Sequence, residues 1–202
     1  MKVDVGGAAL IVLGVVIFSG CTLFSPVKID TERNVINNIP LDLPSETIHS
    51  ATLLVLVAET ESIYATTQMA YTIGAYQIAY FSQHEWAETP SKMIQPLIVT
   101  ALRNTHYFSE ILSPPYFGHH TFTLRTEILD LTQDFTSEPA MLQIAMRFYL
   151  SREATNQVIW TKDLSVREQM RERNPDAGVA AANEGIAKIL RELARFIIEK
   201  AD

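Results

Sequence analysis

Two stretches of strict alternation late in the chain constrain its fold more than any other feature. From Met141 to Leu150, Leu142, Ile144, Met146, Phe148 and Leu150 share one parity, while Gln143, Arg147 and Tyr149 take the other. Successive side chains of a strand point to opposite faces, so this reads as a strand with one buried and one wet side. After the turn-like Glu153-Ala154-Thr155-Asn156, the residues Val158, Trp160, Leu164 and Val166 keep parity again. The two stretches are predicted to pair as a long hairpin, whose apolar face needs a second layer to cover it.

Other segments supply that layer and widen the sheet. Ala51 to Ala58 is a continuous apolar run, too short for a typical helix and rich in branched residues, as in a buried central strand. Thr67 to Tyr71 and Tyr76 to Phe81 read as strands around Ile73-Gly74-Ala75, with Gly74 expected to supply the turn conformation. Between Thr121 and Phe135, the apolar parity of Phe122, Leu124 and Ile128 changes to that of Leu129 and Leu131, which predicts a bulge near Ile128. From Ser91 to Asn104, Met93, Ile94, Leu97, Ile98, Ala101 and Leu102 recur at helical spacing, with Thr89 or Ser91 as cap. Pro96 should make that helix start late or bend. Asn174-Pro175-Asp176 opens a second amphipathic helix through Val179, Ala182, Ile186, Leu190, Leu193 and Ile197. The expected fold is a two-layer α+β domain, a mostly antiparallel sheet with two main helices packed on one face.

The N-terminal region follows a different logic. Gly6 to Phe18 is apolar and uncharged, preceded by Lys2 and followed by Ser19, Gly20 and Cys21, the profile of a signal peptide over residues 1–20. The run falls short of the about 20 apolar residues that span a bilayer. Phe18-Ser19-Gly20-Cys21 resembles the lipobox of bacterial lipoproteins, which implies cleavage before Cys21 and its lipidation, palmitate included. Two or more acyl chains hold a protein stably at a membrane. Thr22 follows the cysteine where an Asp tends to retain lipoproteins at the inner membrane, so the resemblance implies the periplasmic face of the outer membrane. Residues 21–50, polar and broken by Pro26, Pro40 and Pro44, are expected to be the lipidated N-terminus and a tether, and residues 51–202 the folded domain.

Composition narrows the function. With 48% hydrophobic and 19% charged residues the 202-residue chain is globular in make-up. Its net charge of -7 survives loss of the leader, because Lys2 and Asp4 cancel, and such a body does not seek nucleic acid. Cys21 is the only cysteine, which excludes an internal disulfide and a Cys-pair zinc site.

A stretch from Tyr76 to Phe108 carries a further resemblance. Tyr76 and Tyr80, then Trp86-Ala87-Glu88, Pro90, Met93, Gln95-Pro96-Leu97, Leu102 and Phe108 resemble the signature of the ABC-type transport auxiliary lipoprotein family, of the paraquat-inducible C type. The resemblance implies a non-catalytic component of a lipid transport system. Its partners would be a periplasmic mammalian-cell-entry (MCE) domain protein, a permease and an ATPase, with the lipoprotein docking the conduit to the membrane, and further copies of itself in a homo-oligomer. Tyr76, Tyr80, Trp86, Glu88, Pro90, Met93 and Pro96 become the candidate partner or signature residues.

Each of these residues has a plainer role open to it. Trp86, just before a helix, is expected to pack under that helix. Tyr71, Tyr76, Tyr80 and Phe81 either pack the sheet or present a partner surface, and alternation does not decide which. His84, Glu85 and Glu88 lack the nucleophile, metal or pocket of a catalytic set, and His119-His120 lack further ligands nearby in sequence. No enzyme activity, cofactor or metal is expected. Two alternatives to docking stay open: a carrier holding a lipid in an apolar cleft between helices and sheet, and an assembly partner of an outer-membrane barrel.

Overall fold

A computed structural model describes residues 30–200. The two alternating stretches form β8 (Met141–Arg152) and β9 (Gln157–Gln169), paired antiparallel from Met141 opposite Gln169 to Arg152 opposite Gln157. Between them lies a 3-10 turn, Glu153–Thr155, closed by Asn156 in the left-handed region at φ 51°, which Asn tolerates through its short polar side chain. On the other side of β8 runs β7 (Phe122–Asp134), also antiparallel, with its register shift between Ile128 and Asp130. That is the bulge the parity slip predicted. Phe122, Leu124 and Ile128 before it and Leu131 after it all reach the core.

The remaining edge of β7 is shared end to end by three parallel strands: β2 (His49–Val55), β3 (Glu59–Thr60) and β4 (Gln68–Gly74). Beyond β2 lies β6 (Phe108–Leu112), parallel to it. Beyond β4 lies β5 (Gln77–Trp86), antiparallel, and then β1 (Glu32–Asn34), parallel to β5. The sheet is therefore mixed: its longest ladders are antiparallel, and the short strands along β7 are parallel. The fold is α+β.

Helix α1 (Pro90–Asn104) and helix α2 (Pro175–Lys200) pack against the sheet and each other. Helix α1 begins at Pro90, so of the two outcomes expected from Pro96, a late start or a bend, the late start does not occur. Pro90 sits in the first turn, where a missing N–H costs nothing, and Pro96 faces solvent inside a continuous helix. Helix α2 opens as expected, with Asn174 Oδ1 accepting from Ala177 N at 2.8 Å. Gly185 lets it lie close to the sheet: a Cβ there would meet Ile144 Cδ1 at 2.7 Å. The interlayer space is filled by Leu53, Ile94, Ile98, Leu102, Phe148 and Leu193, each at most 1% exposed.

Two expectations change. The tether does not run to Ser50, because from Glu32 the chain belongs to the folded body. Ile36 is buried at 3% exposure, and Ile39 and Leu43 pack on the core. Asn183 of α2 accepts from the backbone N–H groups of Asn37 and Asn38 and donates to Val35 O, while Arg191 grips Asp42 through two bonds of 2.9 and 2.7 Å. The segment shows no periodicity because its apolar residues enter the core singly, from an irregular backbone held by side chains. The second change is at the β4–β5 turn, where Tyr76 rather than Gly74 takes positive φ, at 63°. Cys21 and the leader lie outside the described residues.

Candidate functional site

The signature residues divide between core and surface. Trp86, 3% exposed, ends β5 inside the core cluster, and its backbone N–H donates to Thr67 O at 2.7 Å. Pro90 is buried and Met93 packs against the same cluster, so these three residues build the β5–α1 corner. Gln95 fastens that corner to the end of β2, its Oε1 accepting from Ala58 N at 3.1 Å. Three residues stay in solvent: Tyr76 at the hairpin tip, Glu88, which pairs with Lys92 at 3.0 Å, and Pro96.

Tertiary structure resolves the aromatic group. Tyr71 and Phe81 stack at 4.4 Å between ring centroids, and Phe135 meets both edge-on at 6.0 and 6.2 Å. Tyr80 points the other way, donating from its hydroxyl to Ile63 O at 2.8 Å. Its neighbour Tyr64 lies 2.9 Å from Thr132 Oγ1, and burial above all pushes the Tyr64 phenol up to about 12. Only Tyr76 of the group is free of the fold.

An open groove with apolar walls lies on the outer flank of α1. Val57, Pro96, Val99 and Thr100 wall a groove of about 570 Å³, with Lys92 and Arg103 along it and Gln95 and Ser113 completing the lining. Its position differs from the cleft between helices and sheet that lipid carriage was expected to need, because large side chains already fill that space.

The helix-free face of the sheet is polar and crosslinked. Arg125 pairs with Glu59 and Glu127, Arg147 holds Asp163 at 2.6 and 2.7 Å, and Tyr149 donates to Glu127 at 3.0 Å. Near the end of this face Asp134, 5% exposed, collects six donors: Thr72 Oγ1, Thr136 N and Oγ1, Ser137 Oγ, Gln143 Nε2 and Arg167 Nη2. Burial pushes its carboxyl up, but the bonds from Thr136, Ser137 and Thr72 outweigh that and hold it well below the usual carboxylate range.

One grouping escaped sequence reasoning. Glu32, His84 and Asp176 bring ligand-type atoms within 4.8 Å of one another, with His84 Nδ1 3.5 Å from Glu32 and 3.8 Å from Asp176. The carboxylates are exposed and the three residues come from β1, β5 and α2, so the arrangement clips those elements together. Sequence linked His84 to Glu85 and Glu88 instead. His119 and His120 do not converge on a ligand set: His119 faces Glu153 at 3.6 Å and His120 Nε2 lies 2.8 Å from Thr123 Oγ1.

The model of the ABC-type transport auxiliary lipoprotein component family matches residues 43–194. The chain belongs to this family. It is a family of auxiliary transport components rather than of enzymes, and of lipoproteins, hence of membrane-anchored proteins. No helix among the described residues is long and apolar enough to cross a membrane. Among curated proteins no relative matches. The solved structure of protein XCC0632 from Xanthomonas campestris is similar over 85% of this chain and 95% of that one, at 13% identity and TM-score 0.71. An uncharacterized protein is similar over 82% and 99%, at 16% identity and TM-score 0.65. Protein CT253 from Chlamydia trachomatis follows over 75% and 98%, at 9% and 0.51. At these identities the likeness is one of fold.

Proposed function

We propose that this family member is lipidated at Cys21 and held at the periplasmic face of the outer membrane, where it docks an MCE-type lipid transport assembly without catalysing a reaction. The carrying observation is the family match over residues 43–194, downstream of a signal-peptide profile that ends in Ser19-Gly20 just before Cys21. An anchored domain needs only a modest interface, since the anchor raises its effective concentration near the partner. The docking surface is the outer flank of α1, where the Glu88–Lys92 pair, Pro96 and Arg103 are exposed along the groove and Val99 is half-buried in its wall. Signature residues that support no packing and remain exposed are the ones available to the MCE-domain protein, and through it to the permease and ATPase. Extraction in mild detergent tests this: the lipoprotein co-purifies with the MCE-domain protein, and Arg103→Glu, at an exposed position of the groove, weakens the association without loss of fold. A lipidated protein that never associates with an MCE-domain protein refutes docking.

The groove also favours a second reading, carriage of a single lipid. Its Val57, Pro96 and Val99 walls suit an acyl chain, and Lys92 and Arg103 suit an anionic headgroup. Native mass spectrometry separates the two, since bound phospholipid on the detergent-extracted protein supports carriage and a lipid-free protein supports docking.

A further inference from the structure

The tip of the β4–β5 hairpin gathers apolar side chains that the packing of the fold does not use. Tyr76 is fully exposed, Ile73 is 65% exposed and Ile78 37% exposed, so three large apolar side chains project together from one turn. From Ser62 to Gln83, a stretch containing both strands up to Gln83, no Asp, Glu, Lys, Arg or His occurs in a chain that is 19% charged. Exposed apolar groups of this kind mark either a protein contact or a membrane contact.

Topology favours the membrane. Strand β1 runs parallel to β5, with Glu32 opposite His84 and Asn34 opposite Trp86, so the start of β1 faces the hairpin-tip end of β5. From His84 back to Gln77 the strand reaches about 23 Å toward that tip. From Cys21 to Glu32 the chain spans at most about 40 Å when fully extended. The chain between Cys21 and Glu32 is thus long enough for the tip to meet the membrane that a lipidated Cys21 would enter. Size points the same way. A stable protein interface buries about 800 Å² on each partner, far more than three side chains at a turn provide. A protein already anchored needs only a few apolar groups to settle its orientation at an interface, and tyrosine, apolar with a polar end, suits that depth.

We infer that Ile73, Tyr76 and Ile78 dip into the headgroup region of the membrane that carries the Cys21 anchor, fixing the domain's orientation so that the α1 flank is presented to its partner. This rests on the lipidation reading proposed above. The test uses the full lipidated protein in phosphatidylethanolamine and phosphatidylglycerol vesicles, with Tyr76→Cys labelled by an environment-sensitive fluorophore and Phe117→Cys, 98% exposed in the loop before the distant start of β7, as control. The Tyr76→Cys label should shift to the blue, brighten, be quenched by nitroxide lipids and resist aqueous iodide, at low and high salt alike. The control label should stay aqueous. A Tyr76→Cys label as open to iodide in vesicles as in detergent overturns the inference, as does one protected only when a partner protein is added. Flotation keeps the two ideas apart: if the protein fails to float with vesicles, lipidation fails, and if it floats with an aqueous tip, only the hairpin inference fails.

Discussion

Replacing Asp134 with alanine isolates the network that ties β4, β7, β8 and β9 to one corner. Removing the carboxylate strands six donors. A hydrogen bond to a charged group is worth about 1.5–3 kcal/mol. Thr136 is exposed and the Arg167 side chain is 58% exposed, so these two regain water when the carboxylate goes. Thr72, Ser137 and Gln143 are half-buried and recover less. Counting chiefly those three at the low end of that range, Asp134→Ala should cost about 4–5 kcal/mol, or roughly 10–15 °C in Tm for a domain of this size. The acid response supplies a second readout. The folded carboxyl lies below its ordinary value, so its stabilisation is complete above the unfolded pKa of about 3.9 and is lost as pH falls through the folded value. Urea titrations followed by near-UV circular dichroism at pH 7 and pH 3 should show the wild type losing more stability than the variant, and the gap between them narrowing. A loss under about 1 kcal/mol at pH 7, or a gap that stays constant with pH, would refute this account of the corner.

Further measurements test the other assignments. Trp86→Ala should destabilise by about 3–5 kcal/mol in urea, whereas Tyr76→Ser should stay within about 0.5 kcal/mol, so that two residues of one signature separate into core and surface. Asn183→Ala should raise amide exchange at Asn37 and Asn38 selectively, because that side chain accepts both N–H groups. Gly178→Ala places a methyl against the Gln133 amide and should cost about 1–3 kcal/mol, read from the same urea titrations. If Cys21 carries the proposed lipid, Cys21→Ser should release the protein from the membrane fraction, since stable anchoring takes two or more acyl chains.

Regular elements were legible in the sequence because each carries its period in neighbouring residues. Parity in Met141–Leu150 and Val158–Val166 gave the long hairpin, the slip at Ile128 gave the bulge, and Asn174-Pro175-Asp176 gave the start of α2. The signature from Tyr76 to Phe108 gave the family. Residues acting across long separations were not legible. Ile36, Asn37 and Asn38 look like linker until Asn183, far along the chain, binds them. Glu32, His84 and Asp176 meet only because β1 adds to β5 beside the first turn of α2. Gly74 was the natural turn residue by chemistry, yet the pairing of Gly74 with Gln77 left Tyr76 to absorb the positive φ. Sequence alone determined what the chain is: a signal-peptide profile with its cysteine, an α+β pattern and a family signature, all written in local order. Which signature residues hold the fold and which face outward was decided by tertiary structure, because burial depends on what the rest of the chain brings to each face.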